Sequence, residues 1–259
     1  MKELIRDLAE EYESLDGVVS PLAEEQWARK TPFASWTVRD EIGHLAFFDG
    51  AARLTAADPG GFSRHLAEMA TLPDPFEDTL ARGRALSAPA LLSWWRSERE
   101  GLLCAFSSLD SKTRLAWYGP PMSARSLATS RIMETWAHGQ DILDALGRTR
   151  PPTVRLRHIA HLGVSTFSWS FLNRGMTPPA APVFVEISGP SGERWSWGPP
   201  EAADRIRGSA EDFCLVVTQR RHVEDTSLET KGDAARQWMR VAQAFAGPPA
   251  EGPKPGRFA

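Results

Sequence analysis

The chain has 259 residues, of which 42% are hydrophobic and 24% are charged, and its formal net charge is −3. With ten Trp and twelve Phe, this composition excludes a mainly disordered chain and provides enough apolar surface for a large core. The balance of 30 Lys and Arg against 33 Asp and Glu argues against nucleic acid as the partner. Two cysteines cannot build a disulfide framework.

The N-terminal segment carries acidic residues at short intervals and lacks the apolar core of a signal peptide. No stretch approaches the roughly 20 apolar residues that a membrane span needs. We therefore expect a cytoplasmic protein that has no membrane partner.

Helical periodicity dominates the first 175 residues. Thr37 can cap a long helix, and Ser123 can cap a second one that ends at Gly147. Residues 62–86 show only short helical patterns, which Pro73 and Pro75 interrupt. The predicted helices of this part are residues 2–17, 21–29, 37–57, 89–108, 123–147 and 154–174.

The pattern changes at the proline-rich residues 176–182. Beyond them, short alternating runs predict strands at 183–187, 194–198 and 204–207, followed by two helices. We therefore predict an α+β protein whose domain boundary lies near residues 175–180. The predicted parts are a helical domain at 1–175, a small α+β domain at 180–248 and a loose tail at 249–259.

A candidate metal site rests on two of the long helices. Glu134 and His138 are four residues apart, so their side chains share one helix face. His44 lies in an otherwise apolar stretch of another helix, from which it can reach the pair if both helices pack in one bundle. Two histidines and one glutamate leave a fourth zinc position open, as catalytic sites do. The same donors also suit Ni²⁺ or Fe²⁺.

Each of these residues also has an ordinary structural explanation. Glu134 and His138 can form a surface hydrogen bond, and a buried His44 can bond a carbonyl group. Arg131 can hold the Glu134 carboxylate, meet an anionic substrate or form a surface ion pair. Asp141, three residues after His138, can orient an imidazole N–H or contact a neighbouring helix.

The other candidate residues do not form a group that could make up a metal or catalytic site. His158 and His161 are three residues apart without a visible third ligand, and His65 stands alone. Cys104 and Cys214 lie in apolar helical segments, so we predict buried side chains rather than nucleophiles.

Three segments resemble the mycothiol-dependent maleylpyruvate isomerase family, which belongs to the DinB-like group of metal-binding four-helix bundles. They are Trp36-Thr37-Val38-Arg39-Asp40, Gly43-His44-Leu45-Ala46 and Arg131-x-x-Glu134-x-x-x-His138-x-x-Asp141. The resemblance implies an N-terminal up-down four-helix bundle with a small C-terminal α/β domain. It also implies zinc on His44, Glu134 and His138, in a monomer or homodimer.

Residues 207–220 resemble the second domain of that family, in which an arginine helps to bind the substrate carboxylate. Arg220 is the matching residue, and Arg221 is the alternative one position later. An arginine that complements the dipole at a helix C-terminus is the ordinary explanation.

A zinc ion with an open position favours the thiolate form of a bound thiol. Because the chain has no nucleophilic cysteine of its own, the resemblance points to mycothiol or a similar thiol as cosubstrate. We predict thiol addition to an electrophilic small molecule, by an S-transferase or a thiol-dependent isomerase, with Arg220 and Arg131 as catalytic residues. The alternatives are a zinc hydrolase, with Asp49 or Asp141 as base, and a non-enzymatic metal-binding module.

Overall fold

The computed structural model describes residues 1–33 and 35–258. It shows an α+β protein with a helical N-terminal region and a C-terminal region built on a sheet, as the sequence predicts. The chain divides into two compact units, Met1–Arg150 and Pro151–Ala259. None of the helices in the described part of the chain is long and apolar enough to cross a membrane.

The first unit is built on four long helices. Helix α1 contacts α6 and α7, and α3 contacts the same two helices, so the four enclose one core. A short hairpin, β1 (Arg114–Leu115) and β2 (Met122–Ser123), separates α6 from α7. The helices of this unit are α1 (Lys2–Val19), α2 (Glu24–Trp27), α3 (Val38–Ala57), α4 (Pro59–Met69), α5 (Pro75–Ala85), α6 (Ala88–Ser107) and α7 (Ala124–Leu146).

Local capping fixes where α3 and α7 begin. The Thr37 hydroxyl accepts a hydrogen bond from the backbone N–H of Asp40 at 3.3 Å, and the Asp40 carboxylate accepts one from the Thr37 N–H at 2.9 Å. Ser123 caps α7 through the N–H of Ser126 at 3.0 Å. Because the starts are fixed, the faces on which these two helices carry their polar residues are fixed as well.

The predicted interruption at Pro73 and Pro75 separates two regular helices, since α4 ends at Met69 and α5 begins at Pro75. Pro59 and Pro75 occupy the first positions of α4 and α5, where the missing N–H costs nothing. Asp58 and Asp74 precede them, and each carboxylate caps its helix by accepting a backbone N–H bond, at 2.9 and 3.0 Å respectively. The prolines therefore start helices rather than end them.

The second unit contains a four-stranded sheet of order β4-β3-β5-β6, in which β3 and β5 are parallel and the other neighbours antiparallel. Its strands are β3 (Val183–Ser188), β4 (Arg194–Trp197), β5 (Asp204–Ser209) and β6 (Glu229–Lys231). Its helices are α8 (Leu156–Ser165), α9 (Phe167–Leu172), α10 (Ala210–Val217) and α11 (Asp233–Val241).

The division between the units falls after Arg150, earlier than the boundary predicted near residues 175–180. The reason is that α8 packs on α10 and α9 packs on α11. Gly163 of α8 lies so close to α10 that an added Cβ would be 2.8 Å from Cγ2 of Val217. Helical periodicity identifies α8 and α9 as helices, but it carries no information about which unit they join.

The C-terminal tail, expected to be loose, makes specific contacts within the second unit. The backbone N–H of Gly256 donates to the Asp225 carboxylate at 2.6 Å. The Gln219 side chain donates to the carbonyl of Ala250 at 2.9 Å.

Candidate metal centre

Three side chains from two helices converge inside the first unit. His44 comes from α3, and Glu134 and His138 come from α7. Oε2 of Glu134 lies 3.1 Å from Nε2 of His138 and 3.6 Å from Nε2 of His44. The structure thus brings together the three residues that the sequence singles out.

The spacing of these atoms suits a four-coordinate metal ion. Zinc bonds to nitrogen and oxygen are about 2.0–2.2 Å long, so tetrahedral ligands lie about 3.3–3.6 Å from one another. The two Glu134 distances, 3.1 and 3.6 Å, are close to this separation. One ligand atom from each of the three residues lies within 4.8 Å of the other two. The residues present therefore fit a divalent metal.

Charge states in the cluster also suit metal binding. Burial, reinforced by the charge of His138, lowers the pKa of His44 to about 4, so its imidazole is neutral at pH 7. Burial alone would raise the pKa of Glu134, but hydrogen bonds from His138 and His44 outweigh it and hold that pKa well below its usual range. Neutral imidazole and ionised carboxylate are the forms that bind metals.

His138 is fixed from its far side by Glu41, a residue that the sequence interpretation did not select. Nδ1 of His138 lies 2.6 Å from Oε2 of Glu41, whose other oxygen accepts a 2.6 Å hydrogen bond from Thr31. Asp141, the predicted partner, is 3.9 Å from the same nitrogen. The signal available in the sequence was an acidic residue three positions before His44, at the start of an otherwise apolar stretch.

Aromatic rings surround the two imidazoles. Trp36 stacks on His138 with ring centroids 5.8 Å apart, and Phe33 meets the same ring edge-on. Phe48 packs against His44 at 4.6 Å. Nδ1 of His44 is buried without a hydrogen-bond partner in the described part of the chain, so aromatic packing and the contact of Nε2 with Glu134 orient this ring.

Arg131 does not hold Glu134 as one interpretation predicted. Its Nε donates to Oδ1 of Asp49 at 2.8 Å. The same carboxylate accepts hydrogen bonds from Tyr12 at 2.7 Å and from Trp95 at 3.1 Å. Nη2 of Arg131 is buried, and no hydrogen-bond partner for it exists among the described residues. Asp49 is therefore the centre of a buried network, and one nitrogen of Arg131 remains available.

Arg220 lies just after α10 in the second unit and is buried. Its Nη1 donates to the carbonyl oxygen of Thr218 at 2.7 Å. Arg221 places its guanidinium 3.9 Å from the ring centroid of Phe258. The role of either arginine in binding a substrate carboxylate stays a prediction.

The two cysteines differ from each other. Cys214 is buried as predicted, and burial raises the pKa of its thiol well above the usual value. Cys104 is exposed on α6, contrary to the prediction, because its apolar neighbours in sequence turn to the core while it does not.

Neither His158 nor His161 joins a group of three candidate ligands within the described residues.

A family model described as the mycothiol maleylpyruvate isomerase N-terminal domain matches residues 8–143. A second model, described as wyosine base formation, matches residues 179–231. Two proteins of Mycobacterium tuberculosis, uncharacterized protein MT0041 of strain CDC 1551 and uncharacterized protein Rv0036c of strain H37Rv, are each 47% identical to this chain over 249 residues. The alignments cover 96% of this chain and 97% of theirs.

Two solved structures share the fold. A crystal structure of the mycothiol-dependent maleylpyruvate isomerase superposes with a TM-score of 0.59 at 17% identity, covering 85% of this chain and 89% of the other. A structure of a histidine-to-alanine mutant of that isomerase gives a TM-score of 0.61 at 15% identity, covering 90% and 95%. The first family model, over residues 8–143, spans more than half of this chain. The chain therefore belongs to the mycothiol maleylpyruvate isomerase N-terminal domain family.

Proposed function

We propose that this protein is a metal-dependent enzyme that uses a low-molecular-weight thiol, mycothiol or a similar one, to attack an electrophilic small molecule. In this proposal His44, Glu134 and His138 hold the metal, and their donor atoms suit zinc, with Ni²⁺ or Fe²⁺ as alternatives. The observation that carries this proposal is the convergence of the three donor atoms at the spacing of a tetrahedral site. Structural likeness to mycothiol-dependent isomerases supports the choice of thiol.

A divalent metal held by two imidazoles and one carboxylate offers an open position and a positive charge, which favour the thiolate over the thiol at neutral pH. The protein contributes the surroundings. Glu41 holds His138 with Nε2 towards Glu134, while Trp36 and Phe48 pack against the two imidazoles. A fixed and largely buried site of this kind strengthens electrostatic interactions.

Arg131 is proposed to hold an anionic group of the substrate or of the thiol. Burial alone would lower the pKa of Arg131, but the adjacent Asp49 carboxylate outweighs it and keeps the guanidinium charged. Its Nη2 can donate to a carboxylate while Nε stays bonded to Asp49. Arg220 is a second candidate for this role on the basis of the family resemblance.

Hydrolysis by metal-activated water has less support from the geometry. It needs a general base beside the metal. Asp49 already accepts hydrogen bonds from Tyr12, Trp95 and Arg131. Asp141 faces Nδ1 of His138 at 3.9 Å, on the opposite side of the ring from Glu134. A thiol supplied by a cosubstrate needs neither carboxylate, because the thiolate is itself the nucleophile.

Metal analysis of purified variants tests the ligand assignment. We expect His44→Ala and Glu134→Gln to lose most of the bound metal while the helical circular dichroism signal persists. His161→Ala and Glu100→Gln are the matched controls, because both change exposed side chains outside the cluster, and they should keep the metal. An unchanged metal content in His44→Ala contradicts the assignment.

A second experiment tests the thiol reaction. The wild-type protein is incubated with mycothiol and an electrophile, with zinc and after removal of metal by a chelator. We expect formation of a thioether or a thiol-dependent isomer only when both zinc and mycothiol are present. Product that forms with zinc but without any thiol would support the hydrolase instead.

A further inference from the structure

A second pair of titratable side chains lies outside the metal cluster. His65 belongs to α4, and Tyr118 lies in the loop between β1 and β2. Nε2 of His65 is 2.5 Å from the Tyr118 hydroxyl oxygen, which is the distance of a strong hydrogen bond. Neither residue takes part in holding the metal.

Tyr118 lies one side chain away from the metal cluster. The ring of Phe48 packs against His44 at 4.6 Å and against Tyr118 at 5.4 Å. The positive charge of Arg131 acts on both His44 and Tyr118. Tyr118 is therefore separated from the candidate ligand His44 by the ring of Phe48.

The loop that carries Tyr118 is anchored by aromatic packing. Phe62 is fully buried, stacks on Trp117 with an interplanar angle of 5°, and meets Tyr118 edge-on at 5.7 Å. Tyr118 itself remains 38% exposed, so the loop leaves part of this residue open to solvent. A ring that is fixed by packing and only partly covered suits a proton donor.

We propose that Tyr118 is a catalytic proton donor for reactions at the metal cluster, and that His65 is its positioning residue. This inference rests on the proposed function and concerns reactions in which the electrophile is a conjugated carbonyl compound. Addition of a thiolate to such compounds places an electron pair on carbon, so the product needs a proton from a nearby acid.

The thiolate sulfur of the cosubstrate forms a bond to the β-carbon, and the electron pair of the C=C bond moves to the α-carbon as an enolate. Tyr118 transfers its hydroxyl proton to that carbon and becomes a phenolate. The N–H of His65 and the charge of Arg131 stabilise the phenolate, which then takes a proton from water.

The protonation states suit these roles. Burial raises the pKa of Tyr118 more than Arg131 lowers it, so the hydroxyl is protonated at neutral pH. Burial also lowers the pKa of His65, with Glu68 acting weakly against it, so the imidazole is neutral. A neutral imidazole with its proton on Nε2 donates to the tyrosine oxygen, leaving the O–H free to point at the substrate.

Two electrophiles with the same thiol test the role of Tyr118. Methyl vinyl ketone needs a proton at carbon after mycothiol adds to it, whereas monobromobimane forms a C–S bond as bromide leaves and needs none. We expect Tyr118→Phe to lower the ratio of the addition rate to the substitution rate by about 100-fold or more, the usual contribution of a general acid. His65→Phe, which keeps the ring, should lower the same ratio to a smaller extent.

Trp117→Phe is the matched control, because it disturbs the same loop but leaves the hydroxyl in place. It should change both rates together and leave their ratio unaltered. Metal content is measured for every variant, and if Tyr118→Phe lacks metal, His65→Phe decides the question. If metal-loaded Tyr118→Phe keeps the wild-type ratio of addition rate to substitution rate, the role of Tyr118 is overturned while the proposed function stands. No thiol reaction of the wild type with either electrophile overturns the proposed function, and this inference with it.

Discussion

At the scale of single residues, His138 is held from two sides. Its Nε2 faces Glu134, and its Nδ1 bonds to Glu41, which Thr31 fixes in turn. A carboxylate on the second nitrogen of a metal-binding histidine sets the tautomer and the ring orientation. Glu41 is therefore expected to contribute to metal affinity although it is not a ligand.

We expect Glu41→Gln to weaken metal affinity about 10–100-fold, the usual effect of removing such a partner. An amide is a poorer acceptor than a carboxylate, and it has one oxygen where Glu41 offers two, so either His138 or Thr31 would face its NH₂ group. Affinity is measured by competition with a chromogenic chelator. Asp141→Asn is the matched control and should have a smaller effect, because Asp141 is 3.9 Å from the same nitrogen. Equal losses in the two variants would contradict the role of Glu41.

At the scale of secondary-structure elements, the approach of α5 to α3 depends on two glycines. Gly83 of α5 faces Gly43 of α3, one residue before His44, and an added Cβ at Gly83 would lie 3.0 Å from the Cα of Gly43. This is tighter than ordinary van der Waals contact, and a backbone atom cannot move aside as a flexible side chain can. The contact thus places α5 against the helix that supplies the first candidate ligand.

We expect Gly83→Ala to lower the free energy of unfolding by about 1 kcal/mol. Overpacking costs about 1–3 kcal/mol, against a gain of about 1 kcal/mol from the higher helix propensity of alanine. Gly17→Ala is the matched control, because Gly17 is exposed in α1 and its Cβ would meet nothing within 4 Å. That variant should gain up to about 1 kcal/mol. Denaturant unfolding measures both, and equal stabilisation of the two contradicts the packing argument.

How far the sequence predicts these elements depends on whether the signal is local. Periodicity and caps such as Thr37 and Ser123 give the long helices, and a spacing of four gives the Glu134–His138 pair. Glu41 pairs with His138 and Arg131 pairs with Asp49, in each case between α3 and α7. No local sequence pattern specifies such pairs. For the same reason, no local pattern indicates that Asp49 is the centre of a buried network.

At the scale of the whole molecule, the candidate metal centre lies within one of two compact units. All three proposed ligands belong to Met1–Arg150, and the family match over residues 8–143 falls inside the same unit. The residues from Pro151 onward form their own sheet and helices. A ligand that binds only the folded form of the first unit should therefore stabilise that unit in particular.

We expect zinc to slow amide hydrogen exchange throughout the first unit, most of all in α3 and α7, which carry the ligands. At a free zinc concentration of about 100 times the dissociation constant, linkage contributes about 2.7 kcal/mol, or roughly 100-fold slower exchange for amides that exchange by unfolding of the unit. Amides in β3, β5 and α11 should change much less. Exchange is followed by mass spectrometry with and without zinc, and His44→Ala serves as the control that should show no zinc effect. Equal protection of both units would mean that they unfold together, and protection confined to the second unit would place the metal elsewhere than on His44, Glu134 and His138.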